Sequence, residues 1–206
     1  GIHVCFHKRR SIDPNAIEVL HSDTAVSALG LDTYGSRSLA VGGTAVHMAT
    51  DIVLEKARAI AAHQLEAAPE DLEFDEGSFR VRGSPDKSVA IGDVAMAAFT
   101  AHDLPDGMEP NLTAQVTYDP PNFVFPFGTH VAVVEVDVET GDVALKRYLA
   151  VDDCGRQINP LIVEGQVSGG VVQGVAQALW EHAEYDASGQ LLTTSLLDYA
   201  VPKAGM

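Results

Sequence analysis

Two valine-rich runs joined by a short polar turn decide how this chain folds. They are His130-Val131-Ala132-Val133-Val134-Glu135-Val136-Asp137-Val138, the turn Glu139-Thr140-Gly141-Asp142, and Val143-Ala144-Leu145-Lys146-Arg147-Tyr148-Leu149-Ala150-Val151. Branched side chains favour the pleated backbone, and a Gly-containing turn between two such runs predicts an antiparallel hairpin. Downstream, residues 152–159 read as a polar loop. Pro160 then opens a helix predicted over 160–180, with Asn159 as N-cap. Its apolar stripe includes Ile162, Val163, Val167, Val171, Val175, Ala178 and Leu179. Gly165, Gly169, Gly170 and Gly174 lie inside it. An interior Gly costs about 1 kcal/mol relative to Ala, so four of them suggest close approach of another backbone or of a bound molecule.

Upstream, helices and hairpins come in blocks. Asp13 and Pro14 mark a short helix start, and residues 17–20 read as a brief strand. Residues 25–37 carry Gly30, Gly35 and several hydroxyls, a loop signal. A long helix is predicted over 39–65, where Val46, Ala49, Val53, Ala57, Ile60 and Ala61 recur at three- and four-residue steps. Residues 72–74 and 78–81 flank Glu76-Gly77 as a second hairpin, and 91–101 reads as a short helix. Residues 112–118 alternate like a strand, and 191–199 look extended. The fold class expected from this order is α+β, helices packed on antiparallel sheets.

The chain has 206 residues, enough for one large domain or two small ones. Its 13 Lys and Arg against 29 Asp and Glu give a net charge of −16. Generic nucleic-acid binding is disfavoured, because neutralising phosphates needs clustered basic residues. Two cysteines, Cys5 and Cys154, are too few for a disulfide framework or a Cys-rich zinc site. No apolar run is long enough to span a bilayer, and the charges near the N-terminus follow the apolar residues instead of preceding them. A cytoplasmic location without a transmembrane segment is the expectation. The eight His show no metal-ligand spacing, and no dinucleotide fingerprint or Walker motif occurs.

Two loops stand out. Asp32-Thr33-Tyr34-Gly35-Ser36-Arg37-Ser38 places glycine, hydroxyls and one Arg before a helix N-terminus. Backbone N–H groups there can receive an anion and Arg can clamp a phosphate, although a hydroxyl-rich helix cap is the plainer reading. The second loop, Asp152-Asp153-Cys154-Gly155-Arg156-Gln157-Ile158-Asn159, leads into the glycine-rich helix that carries Gln166 and Gln173. Those glutamines are seven apart and share a face. Neutral amides beside glycines suit a polar heteroaromatic ligand, while a solvated stripe is the bland alternative.

Taken together, the two loops resemble one family. Thr33-Tyr34-Gly35-Ser36-Arg37-Ser38 is similar to a signature of the large subunit of molybdenum hydroxylases, especially the aerobic carbon monoxide dehydrogenase type. Asp119-Pro120-Pro121-Asn122-Phe123, Asp152-Asp153-Cys154-Gly155 with Ile158-Asn159-Pro160, and Glu164-Gly165-Gln166 with Gly169-Gly170 resemble the same subunit in the same order. These motifs are specific for the wider xanthine dehydrogenase and aldehyde oxidase superfamily and less so for substrate.

The resemblance implies a molybdopterin-binding domain holding molybdopterin cytosine dinucleotide. By it, Thr33, Gly35, Ser36, Arg37 and Ser38 would lie against the phosphate-bearing portion, and Asp153, Cys154, Asn159 and Gln166 would line the dinucleotide channel. It also implies FAD on a medium subunit, [2Fe-2S] clusters on a small subunit, a dimer of heterotrimers, and copper in members that oxidise carbon monoxide. Residues 11–206 are expected to be part of the cofactor-binding domain, and residues 1–10 fall outside the match. The family's copper-holding cysteine loop and catalytic glutamate have no counterpart in the sequence. The chain is therefore expected to be the cofactor-binding portion of an oxidoreductase large subunit, inactive alone, with no catalytic or metal-ligating residue of its own. A non-catalytic truncated product or a standalone binding domain is the alternative.

Overall fold

A computed structural model describes residues 12–21, 23–25 and 33–205. The chain divides into two units, Gly1–Asn122 and Phe123–Met206. Among the described residues no helix is long and apolar enough to cross a membrane.

In the first unit a single turn of 3-10 helix, Pro14–Ala16, follows Asp13, whose carboxylate accepts the Asn15 N–H. Residues 17–20 form no strand. The long helix begins with a widened π-helical segment, Ser38–Gly43, and continues as α1, Thr44–Leu65. Thr44 and Thr50 turn their hydroxyls back onto the Ala40 and Val46 carbonyls, as hydroxyl side chains inside helices do. The helix ends on Glu66 in the left-handed conformation, φ 49°. Ala67 N–H bonds to Ala62 O and Glu66 N–H to His63 O, the two bonds of a Schellman stop.

A turn of 3-10 helix, Pro69–Asp71, leads into β1 (Leu72–Asp75), β2 (Ser78–Val81) and β3 (Ser84–Ala90), an antiparallel sheet in that order. Glu76 and Gly77 both have positive φ, 46° and 75°, as the tight two-residue turn between β1 and β2 requires. β3 was not expected from sequence. Ser84-Pro85-Asp86-Lys87-Ser88 has no apolar alternation because β3 is an edge strand, where Pro and charge are tolerated. α2 (Ile91–Thr100) packs back on α1. The core joins Ala57, Ile60, Ala61 and Ala62 of α1, Leu72 and Phe79 of the sheet, and Val94 and Ala98 of α2. Phe79 is fully buried and lies 4.5 Å, centroid to centroid, from Phe74.

The expected strand over 112–118 does not form. The segment is tied to helices instead: Asn111 N–H donates to Ala98 O at 2.8 Å, and Lys56 Nζ donates to Thr113 O at 3.1 Å. Leu112 packs against the core, which explains its apolar alternation without a sheet partner.

In the second unit β4 (Phe127–Val136) and β5 (Val143–Asp153) pair antiparallel, as expected for residues 130–151. The ladder reaches further than the valine runs, to the pairs Phe127↔Asp153 and Gly128↔Asp152. Val133 faces Arg147 and Val134 faces Leu145, so Lys146 is a bulge. α3 spans Pro160–Leu179. Asn159 takes the expected N-cap position, with extended backbone and its carbonyl accepting the Val163 N–H at 3.2 Å, but its side chain makes no cap bond. Residues 191–199 are not a strand. Leu191 bridges to Tyr185, and the chain then turns as the Tyr199 N–H bonds to Ser195 O.

Candidate cofactor-binding residues

The first candidate group sits where the chain enters the long helix. Gly35 and Ser36 have φ of 58° and 57°, and Arg37 returns to helical backbone at −80°. Ser36 is a non-glycine residue in the left-handed region, a conformation that costs energy and is found at ligand-binding turns. Successive residues of changing handedness turn neighbouring N–H groups toward one concavity, a geometry suited to anions. Thr33 Oγ1 and Ser38 Oγ lie 2.5 Å apart and close the loop across its base. The Arg37 guanidinium stacks on the Tyr34 ring at 4.5 Å from its centroid, with Nη1 3.5 Å from the Tyr34 hydroxyl. The structure thus brings Thr33, Gly35, Ser36, Arg37 and Ser38 together in one six-residue stretch. Tyr34, outside the residues predicted for the site, is the platform under Arg37. No spacing rule points to it, because the left-handed backbone at Gly35 and Ser36 sets the contact.

The second group lies within the second unit. Asp153 ends β5, and its Oδ1 accepts the Gly155 N–H at 2.8 Å, which bends the chain away from the sheet. Gly155 has φ 72°, within the region that favours glycine. Cys154 is a free, exposed thiol. Gln166 and Gln173 are exposed on α3. A Cβ at Gly165, Gly169, Gly170 or Gly174 would meet no atom of the unit within 4 Å. The close backbone approach considered for these glycines is therefore not made inside this unit. They leave an open strip on α3 beside the amides.

Each group, taken within its own unit, carries donors suited to one part of a phosphate-bearing heteroaromatic ligand. The first group offers one guanidinium, hydroxyls and backbone N–H groups. The second offers amides, which donate and accept without charge. Among the described residues no group of three or more His, Cys, Asp or Glu could hold a metal ion directly.

Known proteins share this fold and sequence. Residues 4–206 match the family model described as molybdopterin cofactor-binding domain. The carbon monoxide dehydrogenase large chain of Hydrogenophaga pseudoflava is 44% identical over 193 residues, which are 94% of this chain and 24% of that protein. The crystal structure of a Cu,Mo-CO dehydrogenase in its carbon monoxide-reduced state superposes with a TM-score of 0.75 at 41% identity, covering 88% of this chain and 22% of that one. The crystal structure of quinoline 2-oxidoreductase from Pseudomonas putida 86 gives a TM-score of 0.82 at 35% identity, covering 98% of this chain and 26% of that one. The chain spans about a quarter of the length of these relatives. Both solved structures share its helices and antiparallel sheets, so the expected α+β class and molybdopterin-binding architecture hold.

Proposed function

We propose, from the fact that the chain belongs to the molybdopterin cofactor-binding domain family, that it holds molybdopterin cytosine dinucleotide within the large subunit of a molybdenum oxidoreductase. The observation that carries the reading is the turn at Gly35-Ser36 with Arg37 stacked on Tyr34, a built receptor for a dianionic group ahead of a helix. In this reading the backbone N–H groups of Gly35 and Ser36 and the hydroxyls of Thr33 and Ser38 bind the phosphates. Arg37, held flat by Tyr34, supplies the compensating charge. Asn159 and Gln166 read the hydrogen-bonding edge of the base, and Asp153 and Cys154 form the wall beside it.

The cofactor supplies the redox chemistry when bound, and this chain's residues supply position and charge compensation. Because the chain covers about a quarter of its relatives, oxidation of substrate is proposed for the assembled enzyme and not for the chain by itself. The assembly we propose contains a medium subunit with FAD and a small subunit with [2Fe-2S] clusters, paired as a dimer of heterotrimers in the cytoplasm. Copper would be present if it oxidises carbon monoxide.

Producing the large subunit with its medium and small subunits, and measuring molybdenum and released cytidine nucleotide, tests this. Stoichiometric molybdenum with cytidine nucleotide is the expected result, with both lost in Arg37→Ala. A folded assembly carrying neither, or carrying both undiminished after Arg37→Ala, would refute it.

A further inference from the structure

β4 and β5 carry a side-chain network outside the residues assigned above. His130 Nδ1 lies 3.1 Å from the Tyr148 hydroxyl, and His130 Nε2 lies 3.1 Å from Asp152 Oδ1 and 3.2 Å from Oδ2. The rings of His130 and Tyr148 meet edge to face at 5.7 Å. The register explains why these three meet. His130 pairs with Ala150, Ala132 with Tyr148 and Gly128 with Asp152, so all three side chains stand on one face, with His130 diagonal to both partners. Asp153, one residue further on, stands on the opposite face.

Gly128 makes the arrangement sterically possible. A Cβ there would collide with Asp152 Oδ1 and with the Val151 carbonyl oxygen. The absent side chain is thus the space through which the Asp152 carboxylate crosses the ladder to reach His130. The bonds also fix the imidazole. With Asp152 as carboxylate, Nε2–H donates to it, which leaves Nδ1 to accept the Tyr148 O–H. Both ring nitrogens are engaged, and all three side chains are held in one geometry.

We infer that Tyr148, His130 and Asp152, with Gly128 as clearance, form a bracket across the last rungs of β4–β5 that positions the Asp153-Cys154-Gly155 turn. Asp152 immediately precedes that turn, and the Asp153 bond to Gly155 N–H begins where the bracket ends. These are positioning residues, since none of them is assigned a cofactor contact. A turn held by the bracket presents Asp153 and Cys154 in a fixed direction, while a turn released from it samples several. That the turn faces the cytidine half of a dinucleotide rests on the function proposed above; the bracket itself does not.

The test uses Asp152→Ala, Asp152→Asn and Tyr148→Phe in the full chain, with residue-resolved amide hydrogen exchange and calorimetric titration of cytidine 5′-diphosphate. Asp152→Ala is expected to speed exchange at Gly155 about tenfold or more, the loss of one charge-assisted bond. Exchange in the ladder from Val131 to Leu149 should change little. Tyr148→Phe should produce a smaller change at the same place, and Asp152→Asn, which still offers an acceptor to Nε2–H, should restore most of the protection. Unchanged exchange at Gly155 in Asp152→Ala, or faster exchange spread evenly along β4–β5 that Asp152→Asn does not rescue, would overturn the bracket. If the wild-type chain fails to bind the nucleotide, the proposed function fails and exchange alone decides the bracket. If it binds, an affinity in Asp152→Ala equal to wild type would count against positioning even where exchange rises.

Discussion

Arg58 Nη1 donates to the Leu72 carbonyl oxygen at 2.5 Å, which ties α1 to the first strand of the sheet. The same guanidinium lies 5.9 Å from the ring centroid of Phe79. Phe79 thus has Arg58 on one side and Phe74 on another, and no part of it reaches solvent. Phe79→Ala should destabilise the first unit by about 3–5 kcal/mol, the range for a buried aromatic replaced by Ala. Urea unfolding followed by tryptophan-independent far-ultraviolet dichroism measures it. A change comparable to a surface substitution would show that this cluster is not the unit's core.

The left-handed stop at Glu66 gives a prediction of opposite sign. An L-residue in this region costs roughly 1–2 kcal/mol, and glycine avoids it at the expense of greater freedom in the unfolded chain. Glu66→Gly should therefore stabilise the first unit by about 0.5–1 kcal/mol. Gly77→Ala, at the β1–β2 turn, should destabilise it for the converse reason, since Gly77 has φ 75°. Paired thermal melts of the two variants check both signs.

At the end of α3, the Tyr199 hydroxyl donates to Glu181 Oε2 at 3.1 Å. That bond, then partial desolvation and the charge of Glu181, raise the Tyr199 pKa above its ordinary 10.0. Because the folded value is the higher one, the contribution to stability is fully present below pH 10.0 and is lost as pH rises through the folded value. Titration of phenolate absorbance should show one late-ionising tyrosine, and Glu181→Gln should bring it back toward 10.0. Asp186 shows the reverse case. Hydrogen bonds from the Ser188 hydroxyl and then from the Gln190 and Ser188 N–H groups lower its pKa below 3.8. Its contribution is present above that pH and lost as pH falls through the folded value.

The β4–β5 hairpin was legible because its residues are branched on both faces and its turn contains Gly141. Its length was not, since Phe127-Gly128 and Asp152-Asp153 carry no strand propensity and join the ladder only through register. Residues 112–118 misled for a physical reason: Leu112 alternates because it packs on the core, but the neighbouring backbone bonds go to Lys56 and Ala98. In the candidate site, glycine, hydroxyls and Arg before a helix were readable from spacing. The stacking of Arg37 on Tyr34 was not, because the left-handed backbone at Gly35 and Ser36 sets it. The network of His130, Tyr148 and Asp152 joins residues 18 and 22 apart, and no local pattern shows them adjacent.

The central claim is that the Arg37 turn receives the phosphates of a cytidine-containing cofactor. Calorimetric titration of the chain with cytidine 5′-diphosphate, in wild type, Tyr34→Ala and Arg37→Ala, tests it most directly. Saturable wild-type binding is expected, weakened about 2–5-fold when the exposed cation–π platform is removed. Removal of the charge-assisted bonds of Arg37 should weaken it about tenfold or more. No binding by the folded wild-type chain, or equal affinity in Arg37→Ala, would contradict the claim.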